Sequence, residues 1–349
     1  MAARAFDHAR KQTMTPRELQ VELTAIVQND INDPLLILGE SGVGKSSIVR
    51  QVADEFGLPV YDVRWGQMAP IDVRGVPVPD HETKATEFYP PSFWPRKGPG
   101  IIFLDEFNMA SPVMMGLGQQ LLLDRQFGDY KVPDGVKIWA AGNRKTDMAT
   151  VNTIPGPVQN RVAHYEVEHD LESWKLWAYG HGVVPVFLGF LDFRSELLHK
   201  PSKESMAWPS PRTWEIANRR YLASMSIEPA VGANTTAEFR AYEEIMKELP
   251  NIDLIAQGKG QSVKMASEPS LRFAIMAELT ARSIKSWDTF TNCFTWAASK
   301  CQNEPEWLST LVMGTIRVLK VNDNKKYAEF TKNLLKSPEI KRFISGQIG

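Results

Sequence analysis

Residues 35–46 read Leu35-Leu36-Ile37-Leu38-Gly39-Glu40-Ser41-Gly42-Val43-Gly44-Lys45-Ser46. The four apolar residues predict a short buried strand, and the glycine-punctuated stretch after it predicts a tight turn. A helix is predicted to start near Lys45, to carry Ile48, Val49 and Val52 inward, and to stop at Gly57. Residues 39–46 fit the spacing G-x-x-x-x-G-K-[ST], in which glycines let several backbone N–H groups point at phosphate oxygens. The candidate nucleotide-binding residues are therefore Gly39, Glu40, Ser41, Gly42, Val43, Gly44, Lys45, Ser46 and Ser47. Lys45 would place positive charge near the β/γ-phosphates. Ser46 would offer a hydroxyl to Mg²⁺, and the helix start would present its positive dipole end to the anion. ATP and Mg²⁺ are the expected cofactors.

Working outward, Ile101-Ile102-Phe103-Leu104 is a second buried run, and it ends in Asp105-Glu106. Ligands of open α/β sheets bind at the carboxyl ends of strands. Asp105 is thus a candidate Mg²⁺ ligand through the ion's water shell, and Glu106 a candidate base for water. Residues 60–63, 136–141 and 165–167 complete a set of five strands. Strands alternating with helices predict an α/β fold, a parallel sheet covered on both faces. Asn143 follows the 136–141 run and can hydrogen-bond a water or the γ-phosphate, although alone it would read as a turn residue after Gly142. Arg161, before the last strand, and Arg212, in Trp208-Pro209-Ser210-Pro211-Arg212-Thr213-Trp214, can each neutralise a transferred phosphoryl group. Each taken singly would read as a surface arginine.

The remainder supplies context. The chain has 349 residues, 43% hydrophobic and 23% charged, which suits about two structural units built around real cores. Lys plus Arg is 40 against 41 Asp plus Glu, so a strongly basic nucleic-acid coat protein is excluded. Cys293 and Cys301 have neither disulfide nor zinc spacing, and a reducing compartment is expected. No apolar run is long enough to span a membrane, and residues 1–14 lack a secretory pattern, so a soluble cytoplasmic protein is expected. Thr15-Pro16-Arg17-Glu18 announces a capped helix. Residues 73–79 read as an irregular hairpin or loop insertion, and residues 126–135 as a hairpin turning at Pro133-Asp134-Gly135. Beyond residue 170 only helices are predicted, over 237–249, 269–286, 287–300 and 305–319. Soft boundaries fall near 170 and at 227–236. The tryptophans Trp174, Trp177, Trp208 and Trp214, and Met114-Met115, read as packing. The stretch 317–342 leans basic.

The order GESGVGKS, LDE, AAGN, NR and SPR resembles the AAA+ ATPases, and within them the MoxR-like, dynein-related subgroup. The likeness covers residues 15–222 and includes Asp72-Val73-Arg74-Gly75-Val76-Pro77 and Phe127-Gly128-Asp129-Tyr130. It implies a P-loop NTPase AAA+ core over residues 1–170, a parallel five-stranded sheet between helices. A helical lid over 171–227 and an α-helical C-terminal region over 228–349 would follow. Residues 39–46 then resemble Walker A, and Asp105 and Glu106 resemble Walker B. Asn143 resembles sensor 1, Arg161 an arginine finger reaching the neighbouring subunit, and Arg212 a sensor 2 acting in cis. The two hairpins resemble those that face the pore or substrate. Met109 stands where the family often has arginine, and Asn160 where an acidic residue is common. The resemblance implies a homo-oligomeric ring, a hexamer, that remodels a protein partner such as a separately encoded von Willebrand A domain. A nucleic-acid motor is the alternative, less favoured for want of a basic balance. A module using ATP only to assemble would require a damaged Walker B, and a small-molecule kinase would not need Arg212.

Overall fold

The computed structural model describes residues 13–145, 147, 151–338, 340, 341 and 343. Residues 1–12, read above as lacking a secretory pattern, and Arg342, the end of the basic stretch, lie outside the described residues. The chain divides into two compact units, Met1–Asp170 and Leu171–Gly349.

In the first unit, helix α1 (Pro16–Gln28) begins at the expected capping box. Thr15 Oγ1 accepts from the Glu18 backbone N–H at 3.2 Å, and the Glu18 carboxylate accepts from Thr15 N–H at 2.8 Å. There follow β1 (Leu35–Gly39), α2 (Lys45–Glu55), β2 (Val60–Arg64), α3 (Pro70–Arg74), β3 (Val76–Asp80), β4 (Ala85–Tyr89) and β5 (Gly100–Asp105). The unit closes with α4 (Pro112–Asp124), β6 (Gln126–Phe127), β7 (Tyr130–Lys131), β8 (Val136–Gly142), α5 (Gly156–Gln159) and β9 (Ala163–Val167).

Five strands form one parallel sheet in the order β2-β5-β8-β1-β9. Because side chains alternate along a strand, each strand feeds two cores. Leu36, Ile102, Leu104, Ile138 and Ala140 pack with Met114, Met115, Leu121 and Leu122 of α4. Leu35, Ile37, Ile101, Phe103, Trp139 and Ala141 pack instead with Leu19 and Leu23 of α1 and with Ile48, Val49 and Val52 of α2. This is why β1 and β5 read as unbroken apolar runs: neither face meets water. The predicted α/β fold class is what the chain adopts.

Two local expectations change. The insertion after β2 is a short helix, α3, followed by a regular antiparallel hairpin, β3–β4, with Val76 opposite Tyr89. The second hairpin turns at Gly128-Asp129, because Phe127 pairs with Tyr130. Pro133-Asp134-Gly135 instead bends the chain into β8, with the Val136 N–H donating to the Pro133 carbonyl at 3.3 Å. Both sites carry glycine beside aspartate, so turn chemistry alone does not rank them. Asp129 accepts from the Phe88 N–H at 3.2 Å and so ties the two hairpins together.

The second unit contains α6 (Leu171–Gly180), α7 (Pro185–Phe193), α8 (Pro211–Leu222), α9 (Glu228–Val231), α10 (Ala233–Met246), α11 (Ile252–Ala256), α12 (Pro269–Ser283), α13 (Trp287–Lys300), α14 (Pro305–Asn322) and α15 (Asn324–Lys336). Trp214 is fully buried against Phe187 and Phe190, and its indole N–H donates to the Leu197 carbonyl at 2.8 Å. Trp174 is also buried, while Trp177 and Trp208 are half-buried. The 227–236 stretch, read as a loose boundary, is helical. Thr235 and Thr236 are buried there, and Phe239 and Tyr242 of α10 join the core that holds Trp214. Helices α11 to α15 enclose a further core around Ile275, Phe290 and Leu311. Both cysteines are free and buried, as packing residues should be.

Candidate active site

Strand β1 ends at Gly39 inside the sheet, with β8 on one side and the edge strand β9 on the other. The strand order reverses here, which is where open α/β sheets open a crevice for ligands. Gly44 caps α2 with φ +107°, and Gly42 has φ +82°. Side chains rarely adopt these angles, so the loop requires glycine at both places. No side chain caps the start of α2. Its first amides are therefore left to an external acceptor, and phosphate is the natural one.

Lys45 is 8% exposed and folds back over the loop. Its Nζ donates to the Gly39 carbonyl at 2.6 Å, the Glu40 carbonyl at 3.0 Å and Asn143 Oδ1 at 3.3 Å. Ser46 Oγ donates to Asp105 Oδ2 at 2.6 Å. Thus the loop, the end of β5 and the residue after β8 converge on one spot. Val43 is buried beneath the loop, whereas Ser41 and Ser47 are exposed.

Glu106 leaves β5 in the left-handed region, with φ +59°, and its N–H donates to Asp105 Oδ1 at 2.9 Å. The Glu106 carboxylate meets Gln67 Nε2 at 3.2 Å and the Arg64 guanidinium at 3.6 Å. Neither partner is in the motifs. The available signal is that Arg64 ends β2, and β2 pairs with β5 so that Arg64 lies opposite Asp105.

Asn108 also escaped the sequence reading. It is 2% exposed, donates from Nδ2 to the Asn143 carbonyl at 2.7 Å and accepts from Asn143 N–H at 3.1 Å. These two bonds hold the backbone of Asn143, whose Nδ2 lies 3.7 Å from Met109 Sδ. A Cβ on Gly142 would collide with Asn108 Oδ1. Gly142→Ala should therefore push Asn108 out of its paired bonds and cost about 1–3 kcal/mol of stability, the usual range for overpacking. A urea melt of the variant would read this as a lower midpoint, and an unchanged midpoint would refute the clamp.

No side-chain hydrogen bond or ion pair among the described residues joins Arg161 to this cluster. The residue follows α5, is exposed, and has no ion pair among the described residues. Arg212 is exposed in the first turn of α8, in the second unit, behind the Ser210–Thr213 capping box.

The family model of the ATPase family associated with various cellular activities (AAA) matches residues 35–153, from β1 through the loop after β8. The match spans about a third of the chain. Among solved structures the chain is similar to a RuvB point mutant from Thermotoga maritima, at 14% identity over 79% of this chain and 88% of that chain, with a TM-score of 0.37. It is similar to NtrX from Brucella abortus, at 14% identity over 86% and 68%, with a TM-score of 0.34. It is also similar to the Thermotoga maritima RuvB Holliday junction branch migration motor, at 15% identity over 70% and 74%, with a TM-score of 0.35. None of the curated proteins matches the chain. Among the described residues, no helix is long and apolar enough to cross a membrane.

Proposed function

We propose that this chain is a ring-forming, MoxR-like AAA+ ATPase that couples ATP binding and hydrolysis to remodelling of a protein partner in the cytoplasm. The observation that carries the reading is the convergence of Lys45, Ser46, Asp105 and Asn143 on the open end of β1. The backbone amides of residues 39–47 and the side chains of Lys45 and Ser46 bind the phosphates. Lys45 exchanges its carbonyl partners for β/γ-phosphate oxygens. Ser46 and Asp105 offer a hydroxyl and a carboxylate 2.6 Å apart, a hard oxygen pair suited to Mg²⁺. Held there by Ser46 and Asp105, the ion would offset charge on the phosphates.

Glu106 takes the proton of the attacking water once it leaves Gln67, and Asn143 orients that water. Arg161 of a neighbouring subunit stabilises the charge on the transferred group, a contribution of about 10³–10⁵ in rate for arginine fingers. Its exposure and its lack of an ion pair among the described residues favour a role in trans, and hence a ring, which we take as a hexamer. Residues 171–227 act as the lid, with Arg212 sensing nucleotide, and residues 228–349 are a helical extension that shares its core. The partner is a protein, of which a separate von Willebrand A domain is the first to test.

The test is ATP turnover against protein concentration for the wild type and Arg161→Ala, each with single-stranded DNA, double-stranded DNA or neither. The expected result is turnover that rises cooperatively, falls by at least about 10³ in the variant and ignores DNA. Normal hydrolysis by Arg161→Ala at every concentration would remove the finger from Arg161. Several-fold stimulation by DNA would turn the reading toward a nucleic-acid motor, for which the exposed Lys325, Lys326, Lys332 and Lys336 of α15 would be the contact face.

A further inference from the structure

The residue after Asn143 also reaches the phosphate loop. Arg144 leaves the end of β8 with its side chain only 17% exposed. Its backbone N–H donates to Asp147 Oδ2 at 2.7 Å, and its Nε donates to Asp147 Oδ1 at 3.1 Å. This fixes the base of the side chain. One guanidinium nitrogen lies 3.4 Å from Glu40 Oε1, and another lies 3.2 Å from Glu168 Oε1. Glu40 follows β1 and Glu168 follows β9. In the sheet order β8-β1-β9, one arginine therefore ties together the open ends of three adjacent strands. The middle tie is to the loop that would hold the phosphates. His169 Nδ1, 3.3 Å from Glu40 Oε2, borders the same carboxylate.

Glu40 is held at both its backbone and its side chain. Lys45 holds its carbonyl at 3.0 Å and Arg144 holds its carboxylate. When Lys45 turns to phosphate, the first grip is lost and the second stays. Arg144 also offsets three carboxylates, Glu40, Asp147 and Glu168, beside a place meant for a polyanion. Bare carboxylates there would repel it.

We propose that Arg144 is a positioning residue for nucleotide binding: by holding Glu40 it keeps the entry turn of the phosphate loop in its binding shape. The inference rests on the ATPase reading of the same site. It predicts that Arg144 governs affinity far more than the chemical step, because it touches neither the phosphate nor the attacking water.

The test uses the full chain with a fluorescent ATP analogue for affinity and ATP turnover for kcat and KM. Arg144→Ala and Glu40→Ala should each raise Kd about tenfold, the size of one lost charge-assisted hydrogen bond. Because both remove the same pair, the double variant should lie within about threefold of the weaker single variant. Arg144→Lys should recover most of the affinity, since an ammonium can still meet Glu40. In Arg144→Ala, kcat at saturating ATP should change much less than Kd. Wild-type affinity in Arg144→Ala, multiplying effects in the double variant, or a fall in kcat with Kd unchanged would each overturn the proposal. Lys45→Ala separates the two levels. If the wild type binds ATP in a Lys45-dependent way while Arg144→Ala also binds normally, only the positioning role fails. If the wild type binds no ATP, both readings fall.

Discussion

Lys45→Ala is expected to abolish measurable ATP binding. The ammonium sits at the focus of the loop, 8% exposed, with neutral oxygens of Gly39, Glu40 and Asn143 within 3.3 Å. A lysine stripped of most of its water and held by carbonyls gains when a charged phosphate replaces them. Charge-assisted hydrogen bonds to two phosphate groups are worth about 3 kcal/mol or more together, over a hundredfold in Kd. Alanine removes them and leaves the triphosphate facing Glu40 and Asp105. Titration with a fluorescent ATP analogue reads the effect directly. A parallel thermal melt should show the wild type stabilised by ATP and the variant indifferent to it. Binding within tenfold of the wild type would refute the phosphate-loop assignment itself.

Glu106→Gln is expected to separate binding from hydrolysis. Glutamine keeps the shape of the side chain and can still pair with Gln67, but it cannot take a proton from water. Loss of a general base costs about 10²–10⁴ in rate, while ATP affinity should stay within about threefold, because Glu106 faces Gln67 and Arg64 rather than the loop. Single-turnover hydrolysis together with a binding titration would check both halves. A variant that hydrolyses at the wild-type rate would move the base elsewhere. The same variant, loaded with ATP, is the reagent for trapping a protein partner.

Much of the fold was legible because its cues are local. The apolar runs at 35–38, 101–104 and 136–141 are buried on both faces and therefore announce themselves without alternation. Thr15 and Glu18 lie three residues apart and cap a helix through contacts that need nothing distant. The bends were less legible. Gly128-Asp129 and Pro133-Asp134-Gly135 carry equal turn chemistry, and the pairing of Phe127 with Tyr130 chooses between them. The 227–236 stretch looked like a linker because Pro, Gly, Asn and Thr cluster there. It is helical because Thr235 and Thr236 face a core supplied by other helices.

By itself the sequence determined the strand set, the glycine-rich turn before α2 and the order in which Lys45, Ser46, Asp105 and Asn143 occur. Spacing within a strand–loop–helix unit is written in consecutive residues, and an apolar run ending in a carboxylate places that carboxylate at a sheet edge. Only the tertiary structure decided which side chains attend them: Gln67 and Arg64 on Glu106, Asn108 on Asn143, and Arg144 on Glu40. Each of these contacts depends on which strands are neighbours. β2 lies beside β5, and β1 lies between β8 and β9, although long stretches of chain separate them. That order is set by burying both faces of one sheet at once, a condition on the whole unit that no single segment encodes.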